Sequence, residues 1–108
     1  MTTYYYTDGY LAPLVTQDRE DRAIADVAAL GTLPADWVQR LGILRGYIVT
    51  CLECQKAPDD TFGAKLSAYR KEYVEVLTQA RSAQARLEAQ NNTLKGGASV
   101  FTAEIARG

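Results

Sequence analysis

The chain has 108 residues, with 12 Lys and Arg against 13 Asp and Glu, and it contains no histidine. This length fits one domain, and 47% apolar residues suffice for a core without metal ions or disulfides. The lack of histidine excludes a Ser-His-Asp or Cys-His catalytic group and the zinc sites that mix Cys with His. The composition therefore predicts a protein that is not an enzyme and that binds no metal or cofactor.

The net charge of −1 conceals an uneven distribution along the chain. Residues 1–60 contain nine acidic and five basic residues, whereas residues 61–108 contain seven basic and four acidic ones. We expect these halves either to attract each other within one molecule or to pair head-to-tail between copies. The overall balance gives no general attraction to nucleic acid or to an anionic membrane.

Neither a membrane span nor a secretion signal is predicted. A spanning helix needs a run of about 18 apolar residues, and the sequence contains none. The first residues lack the basic start and the apolar stretch of a signal peptide. We therefore expect the protein to remain in the cytoplasm where it is made.

Three helical segments are predicted between two irregular ends. A short first turn follows Thr7 and Asp8, whose side-chain oxygens can cap backbone N–H groups. The acidic run 16–21 suits the positive end of a helix dipole and opens the first helix, which stops at Gly31. The apolar stripe expected on this helix consists of Ile24, Val27, Ala28 and Leu30.

The second helix is expected from Pro34 to about Ala57. Its apolar positions recur every three or four residues, which indicates the central and most buried helix. These positions are Trp37, Val38, Leu41, Leu44, Tyr47, Ile48, Cys51 and Leu52, and the polar Gln55 continues their spacing. Gly42 and Gly46 lie one turn apart on this helix and each costs roughly 1 kcal/mol of helix propensity relative to alanine. They indicate that a neighbouring helix or aromatic ring approaches closely, and a ligand site is the alternative.

The third helix is expected from about Thr61 to Asn91, after a break at Pro58 and a new cap at residues 59–61. It has a heptad seam formed by Leu66, Tyr69, Tyr73, Val76, Ala80, Ala83 and Leu87. The seam narrows to alanine in its second half and so buries less area there. We therefore expect the far end of this helix to project from the core or to need a partner.

The composition changes again at the C-terminal end. Gly96 and Gly97 form a flexible break, and residues 99–105 are β-prone. A single strand cannot satisfy its own backbone groups, so this segment either is disordered alone or adds to the sheet edge of another protein. The predicted fold is an all-α bundle of three to four helices with extended, flexible termini. It comprises an N-terminal arm (residues 1–7), a helical domain (8–92) and a C-terminal arm (93–108).

Two groups of residues are candidates for an interface. Tyr4, Tyr5 and Tyr6 lie outside any predicted helix, and tyrosine is enriched at protein interfaces. Contact with another protein and packing over the end of the bundle are alternative roles for them. The second group is in the C-terminal arm and consists of Val100, Phe101 and Ile105.

Cys51 and Cys54 form a Cys-x-x-Cys pair, a motif with metal and redox associations. Two cysteines without histidine do not complete a zinc site, and a redox pair is expected at an exposed helix start in a βαβ unit. We interpret the pair as core residues and keep a redox enzyme as the alternative. The basic residues of the third helix are interrupted by glutamates and indicate a solvated face rather than nucleic-acid recognition. They are Lys65, Arg70, Lys71, Arg81 and Arg86.

The order of these elements resembles the small helical head–tail connector proteins, also called adaptor or neck proteins, of tailed bacteriophages. Three segments carry the resemblance. The first is residues 10–15 together with the acidic helix containing residues 21–24. The second is residues 44–53, and the third is residues 60–73, which combine an acidic turn with a repeated Lys and Tyr pattern.

The resemblance implies a non-enzymatic protein of the virion neck, assembled in the host cytoplasm. Such proteins form a ring of about twelve copies that joins the portal protein to a tail or head-closure protein. DNA would pass through the ring without sequence-specific recognition, and terminal arms would contact neighbours. The alternative is a dimeric helical interaction module, such as a small regulator or chaperone, joined through the third helix.

Overall fold

The computed structural model describes residues 2–56 and 60–96, which form a bundle of three α-helices. A 3-10 turn, Ala12–Leu14, precedes α1 (Gln17–Ala28), α2 (Ala35–Cys54) and α3 (Thr61–Gly96). This part of the chain contains no strand, and the predicted all-α bundle is confirmed. None of its helices combines the length and the apolar character that crossing a membrane requires.

Local sequence signals determine where the first elements begin and end. Asp8 Oδ1 accepts hydrogen bonds from the backbone N–H groups of Tyr10 (2.9 Å) and Leu11 (3.1 Å), ahead of the 3-10 turn. Thr16 caps α1, because its hydroxyl accepts a hydrogen bond from the backbone N–H of Arg19, three residues further along the chain. After α1, Gly31 adopts a φ of +101°, which favours glycine. The capping role predicted for Asp8 and the glycine stop after α1 are confirmed, whereas the Thr16 cap was not predicted.

The end of α2 differs from the prediction, because the helix ends at Cys54 rather than near Ala57. Gln55 has an extended backbone, and the N–H of Lys56 donates to Asp60 Oδ2 at 2.9 Å. Asp60 Oδ1 accepts a bond from the N–H of Gly63 at 2.8 Å, inside the first turn of α3. One carboxylate therefore holds the chain after α2 and caps α3.

The far end of α3 also differs from the prediction, since the helix continues through Asn91 to Gly96. Each asparagine costs only about 0.7 kcal/mol relative to alanine, too little to stop an established helix. At about 1.5 Å per residue, α3 spans nearly the whole 56 Å length of the molecule. Most of the predicted C-terminal arm, with Val100, Phe101 and Ile105, lies outside the described residues.

The central helix is α2, which packs against both α1 and α3. It is antiparallel to α1, because Glu53 near its end pairs with Arg19 near the start of α1 at 2.8 Å. α3 runs back along α2, and the rings of Tyr47 and Tyr69 stack with centroids 4.6 Å apart. The buried core consists of Tyr6, Leu11, Val15, Val27, Leu41, Leu44, Tyr47, Ile48, Cys51, Leu66, Val76 and Ala80.

The apolar stripe predicted for α2 is confirmed except at Leu52, which is exposed. The stripe predicted for α1 is displaced: Ala23 and Val27 face the core, whereas Ile24 and Ala28 are exposed. The buried position one turn before Ala23 is Glu20. A search for apolar residues alone overlooks this inward position, because it holds a carboxylate.

Candidate interaction site

The N-terminal arm, seen here as residues 2–7, is non-helical and is held by the buried carboxylate of Glu20. Its Oε1 accepts a bond from the N–H of Thr3 (2.6 Å), and its Oε2 accepts bonds from the N–H of Tyr4 (2.8 Å) and the hydroxyl of Tyr6 (2.7 Å). Burial disfavours the charged form, but these hydrogen bonds outweigh burial and keep the pKa of Glu20 below its usual value. A charged side chain in the core therefore binds the main chain of the arm.

Two glycines of α2 make room for two tyrosine rings of the arm. A Cβ atom at Gly42 would lie 2.7 Å from Cε2 of Tyr4, and one at Gly46 would lie 3.3 Å from Cε1 of Tyr6. Real Cβ atoms do not approach other atoms as closely as the first of these distances. The predicted close approach is confirmed, and the approaching groups are aromatic rings of the same chain.

The three tyrosines of the arm have different environments. Tyr6 is buried and Tyr4 is packed against the core, whereas Tyr5 between them is 82% exposed. Tyr4 and Tyr6 therefore pack over the bundle, the second of the two roles considered for them. A role of the three tyrosines in an interface with another protein stays a prediction. Of the three, Tyr5 has the side chain that is accessible to a partner.

Replacing Gly42 by alanine is expected to displace the ring of Tyr4 and to lower the free energy of unfolding by at most about 2 kcal/mol. Overpacking costs about 1–3 kcal/mol, while alanine gains about 1 kcal/mol of helix propensity. Hydrogen exchange at the amide of Tyr4 and denaturant unfolding measure the two effects. In a Tyr4→Ala background the same substitution is expected to stabilise the protein by about 1 kcal/mol. Equal effects in both backgrounds would show that the ring does not lie over Gly42.

Asp8, directly after the arm, connects the start of the chain with α2 and α3. Its Oδ2 accepts bonds from Lys65 Nζ (2.9 Å) and from the hydroxyl of Tyr69, and its N–H donates to the hydroxyl of Tyr47 (3.0 Å). The Asp8 side chain is only 7% exposed. Burial disfavours its charge, but the hydrogen bonds to Tyr69, Lys65 and the backbone prevail and lower the pKa of Asp8 to about 2.

Ion pairs also join the elements to one another. Glu53 on α2 pairs with both Arg19 (2.8 Å) and Arg22 on α1. The pair between Asp8 and Lys65 connects the acidic half of the chain with the basic half inside one molecule. The first of the two expected kinds of attraction is therefore present, and pairing between copies stays a prediction.

The seam of α3 loses its cover towards the far end of the helix. Ala80 is fully buried, Ala83 is half-buried and Leu87 is 44% exposed, so burial falls steadily along one face. The α1–α2 connection reaches this region, where Thr32 and Leu33 line a shallow groove. The α3 residues that line the groove are Arg81, Gln84, Ala85 and Glu88. The first of the two expected outcomes, an end that projects from the core, is therefore observed, and the need for a partner stays a prediction.

The basic residues of α3 differ in their contacts. Lys65 is bound to Asp8, whereas four further basic residues between positions 70 and 86 are exposed and form no ion pair within the described part of the chain. These exposed residues are Arg70, Lys71, Arg81 and Arg86. The arrangement agrees with the solvated face expected from the sequence.

The two cysteines are free thiols in the last turns of α2. Cys51 is fully buried, and burial raises the pKa of its thiol to about 11. The protonated thiol is a weak nucleophile at neutral pH, which supports a packing role for this residue. Across residues 2–56 and 60–96, no three metal-binding side chains come together in a group that could hold an ion.

Comparisons with protein-family models, with curated proteins and with solved structures gave no significant match to this chain. The class of protein is therefore given by the fold alone, an all-α bundle over the described residues. They form a three-helix bundle with a seated N-terminal arm and a third helix that extends beyond the core.

Proposed function

We propose that this protein is a structural subunit of a tailed-bacteriophage particle, a head–tail connector that joins the portal protein to the tail in a ring of about twelve copies. The observation that carries the proposal is the projecting end of α3, whose seam is uncovered beyond Ala83. A ring subunit needs a well-packed body and exposed surfaces that can contact its neighbours. The bundle supplies the body, and α3 supplies such a surface.

The three segments that resemble connector proteins meet at one end of the bundle. Tyr10 of the first segment lies against Phe62 of the third, with ring centroids 5.4 Å apart. Tyr47 of the second segment stacks on Tyr69 of the third. The residues that carry the resemblance thus form one packed unit around Asp8, which supports a shared structural role for them.

The test is to establish whether a gene beside the gene of this protein encodes a portal protein, to co-express the two proteins, to purify the mixture and to image it by electron microscopy. We expect the protein alone to be a monomer or a weak oligomer, and rings seated on the portal to appear in the mixture. A dimer that is independent of concentration, together with no binding to the portal, would contradict the proposal.

The second candidate function is a dimeric interaction module joined through α3, and the exposure of Leu87 on the seam is the observation that favours it. Two copies that covered each other's seam would both bury that apolar surface, which favours a dimer. Analytical ultracentrifugation of the Leu87→Asp variant tests this candidate. A wild-type dimer that forms no larger species as the concentration rises, and that dissociates on this substitution, supports the module over the ring.

A further inference from the structure

The end of α3 from Arg81 onward, called here the free end, carries an excess of positive charge. Residues 81–96 include three basic residues and one acidic one, Glu88. Arg81 and Arg86 are exposed, and neither pairs with a carboxylate among the described residues. Leu87 is 44% exposed and lies on the seam between the two sides of the helix that carry Arg81 and Arg86. The free end therefore combines unpaired cations with exposed apolar surface.

The start of α1 carries an excess of negative charge. Arg19 and Arg22 both bind Glu53, which occupies these two guanidinium groups. Asp18 is 86% exposed and lies 3.7 Å from Arg22, and Asp21 is exposed without an ion pair in the described chain. The exposed side chain of Ile24 follows Asp21 by three residues and so shares its face of the helix. This surface, called here the acidic face, also combines charge with apolar area.

The free end and the acidic face lie at opposite ends of the molecule. The pair between Arg19 and Glu53 places the start of α1 beside the end of α2. The groove shared by Leu33 and Arg81 places the free end beside the α1–α2 connection. A second copy shifted along the 56 Å long axis therefore brings its acidic face to the free end of the first. Contacts between two different surfaces of identical subunits repeat into rings or filaments.

We propose that the free end of α3 docks on the acidic face of a second copy of this chain. In this contact Arg81 and Arg86 face Asp18 and Asp21, and Leu87 covers the apolar surface around Ile24. The inference deepens the proposed function and rests on it for the assembly of many copies. It adds the two surfaces through which neighbouring subunits would meet.

The size of these surfaces determines how the contact behaves. The end of a single helix buries much less than the roughly 800 Å² per partner that stable complexes need. Charge pairs at exposed sites increase the association rate and the specificity more than the affinity. We therefore expect a monomer in dilute solution and association that increases with concentration. Closure of a ring gives each copy two contacts and strengthens the assembly.

Reversing the charges on each surface separately tests the contact. The variants are Arg81→Glu with Arg86→Glu, and Asp18→Lys with Asp21→Lys, measured by sedimentation velocity up to about 1 mM. Each variant alone is expected to self-associate at least about tenfold more weakly than the wild type, because its two surfaces then have the same sign. The equimolar mixture is expected to recover association, since each reversed surface then meets one of opposite sign.

Three results would overturn the proposal: a wild-type protein that stays monomeric up to about 1 mM, variants that associate like the wild type, or a mixture that does not recover. Arg70→Glu with Lys71→Glu is the matched control, because it makes the same charge change on α3 away from the free end. Circular dichroism checks the fold of each variant. If the lysine variant does not fold, Asp18→Asn with Asp21→Asn replaces it. Raising the salt from about 0.01 M to about 1 M, which shortens the Debye length from about 30 Å to about 3 Å, is expected to weaken wild-type association.

The apolar part of the contact has its own pair of variants. Leu87→Asp is expected to abolish association, whereas Val74→Asp is expected to leave it unchanged. Val74 is 62% exposed on the same helix but lies away from the seam. Equal effects of the two substitutions would contradict docking through the free end.

The same measurements separate this contact from the connector function. Rings on the portal together with charge variants that associate normally would retain the function and reject the contact. Charge-dependent association without any binding to the portal would retain the contact and reject the function.

Discussion

Replacing Glu20 by glutamine is expected to release the N-terminal arm and to lower the free energy of unfolding by about 2–4 kcal/mol. The side chain is fully buried and accepts bonds from Thr3, Tyr4 and Tyr6. Glutamine keeps only one acceptor oxygen. Its NH₂ group, which donates, would face N–H or O–H groups of the arm that also donate. The arm can detach from the bundle and form hydrogen bonds with water instead. The decrease in the free energy of unfolding is therefore limited to the stabilisation that the packed arm provides.

Hydrogen exchange and denaturant unfolding together test this expectation. In the Glu20→Gln protein, the amides of Thr3 and Tyr4 should exchange as fast as those of an unstructured peptide. Asp21→Asn makes the same chemical change one residue later on an exposed side chain, and it should alter the free energy of unfolding by no more than about 0.5 kcal/mol. Protected amides in the Glu20 variant, with stability equal to that of the control, would show that this carboxylate does not hold the arm.

Glu20 also shows where prediction from the sequence reached its limit. Thr16, Gly31 and Asp60 were predictable because a cap or a stop depends on residues only three or four positions away. The bonds of Glu20 to the arm join residues 14 to 17 positions apart, and the pair of Asp8 with Lys65 spans 57 positions. No local pattern encodes such partners. The spacing of Glu20, one turn before Ala23, is the signal that could have indicated a carboxylate facing the core.

The two glycines of α2 illustrate an intermediate case. Their cost in helix propensity indicated that Gly42 and Gly46 make room for something, and rings of Tyr4 and Tyr6 lie there. The sequence did not specify which ring, because a neighbouring helix would need the same space. The tyrosines were singled out for a different reason, their position outside any helix. Combining the two observations would have predicted the seat of the arm.

Stability towards acid is expected to depend on Asp8. Its pKa falls from 3.8 to about 2 on folding, so the folded protein binds a proton less readily than the unfolded chain. The bonds of Asp8 therefore stabilise the fold fully above the unfolded pKa, and this contribution disappears as the pH falls through the folded value. The shift corresponds to about 2 kcal/mol, lost between about pH 4 and pH 2. Glu20, whose pKa is also lowered, acts in the same direction.

Urea unfolding of the Asp8→Asn variant from neutral pH down to about pH 2 measures this contribution. The variant should be about 2 kcal/mol less stable than the wild type at neutral pH, and the difference should vanish near pH 2. Asp36→Asn, at an exposed position in the first turn of α2, is the control and should keep the acid sensitivity of the wild type. An Asp8 variant with an unchanged pH profile would contradict the argument. A smaller loss of unfolding free energy on acidification than in the wild type would mean that the charge of Asp8 holds the start of the chain against α3, through Lys65 and Tyr69.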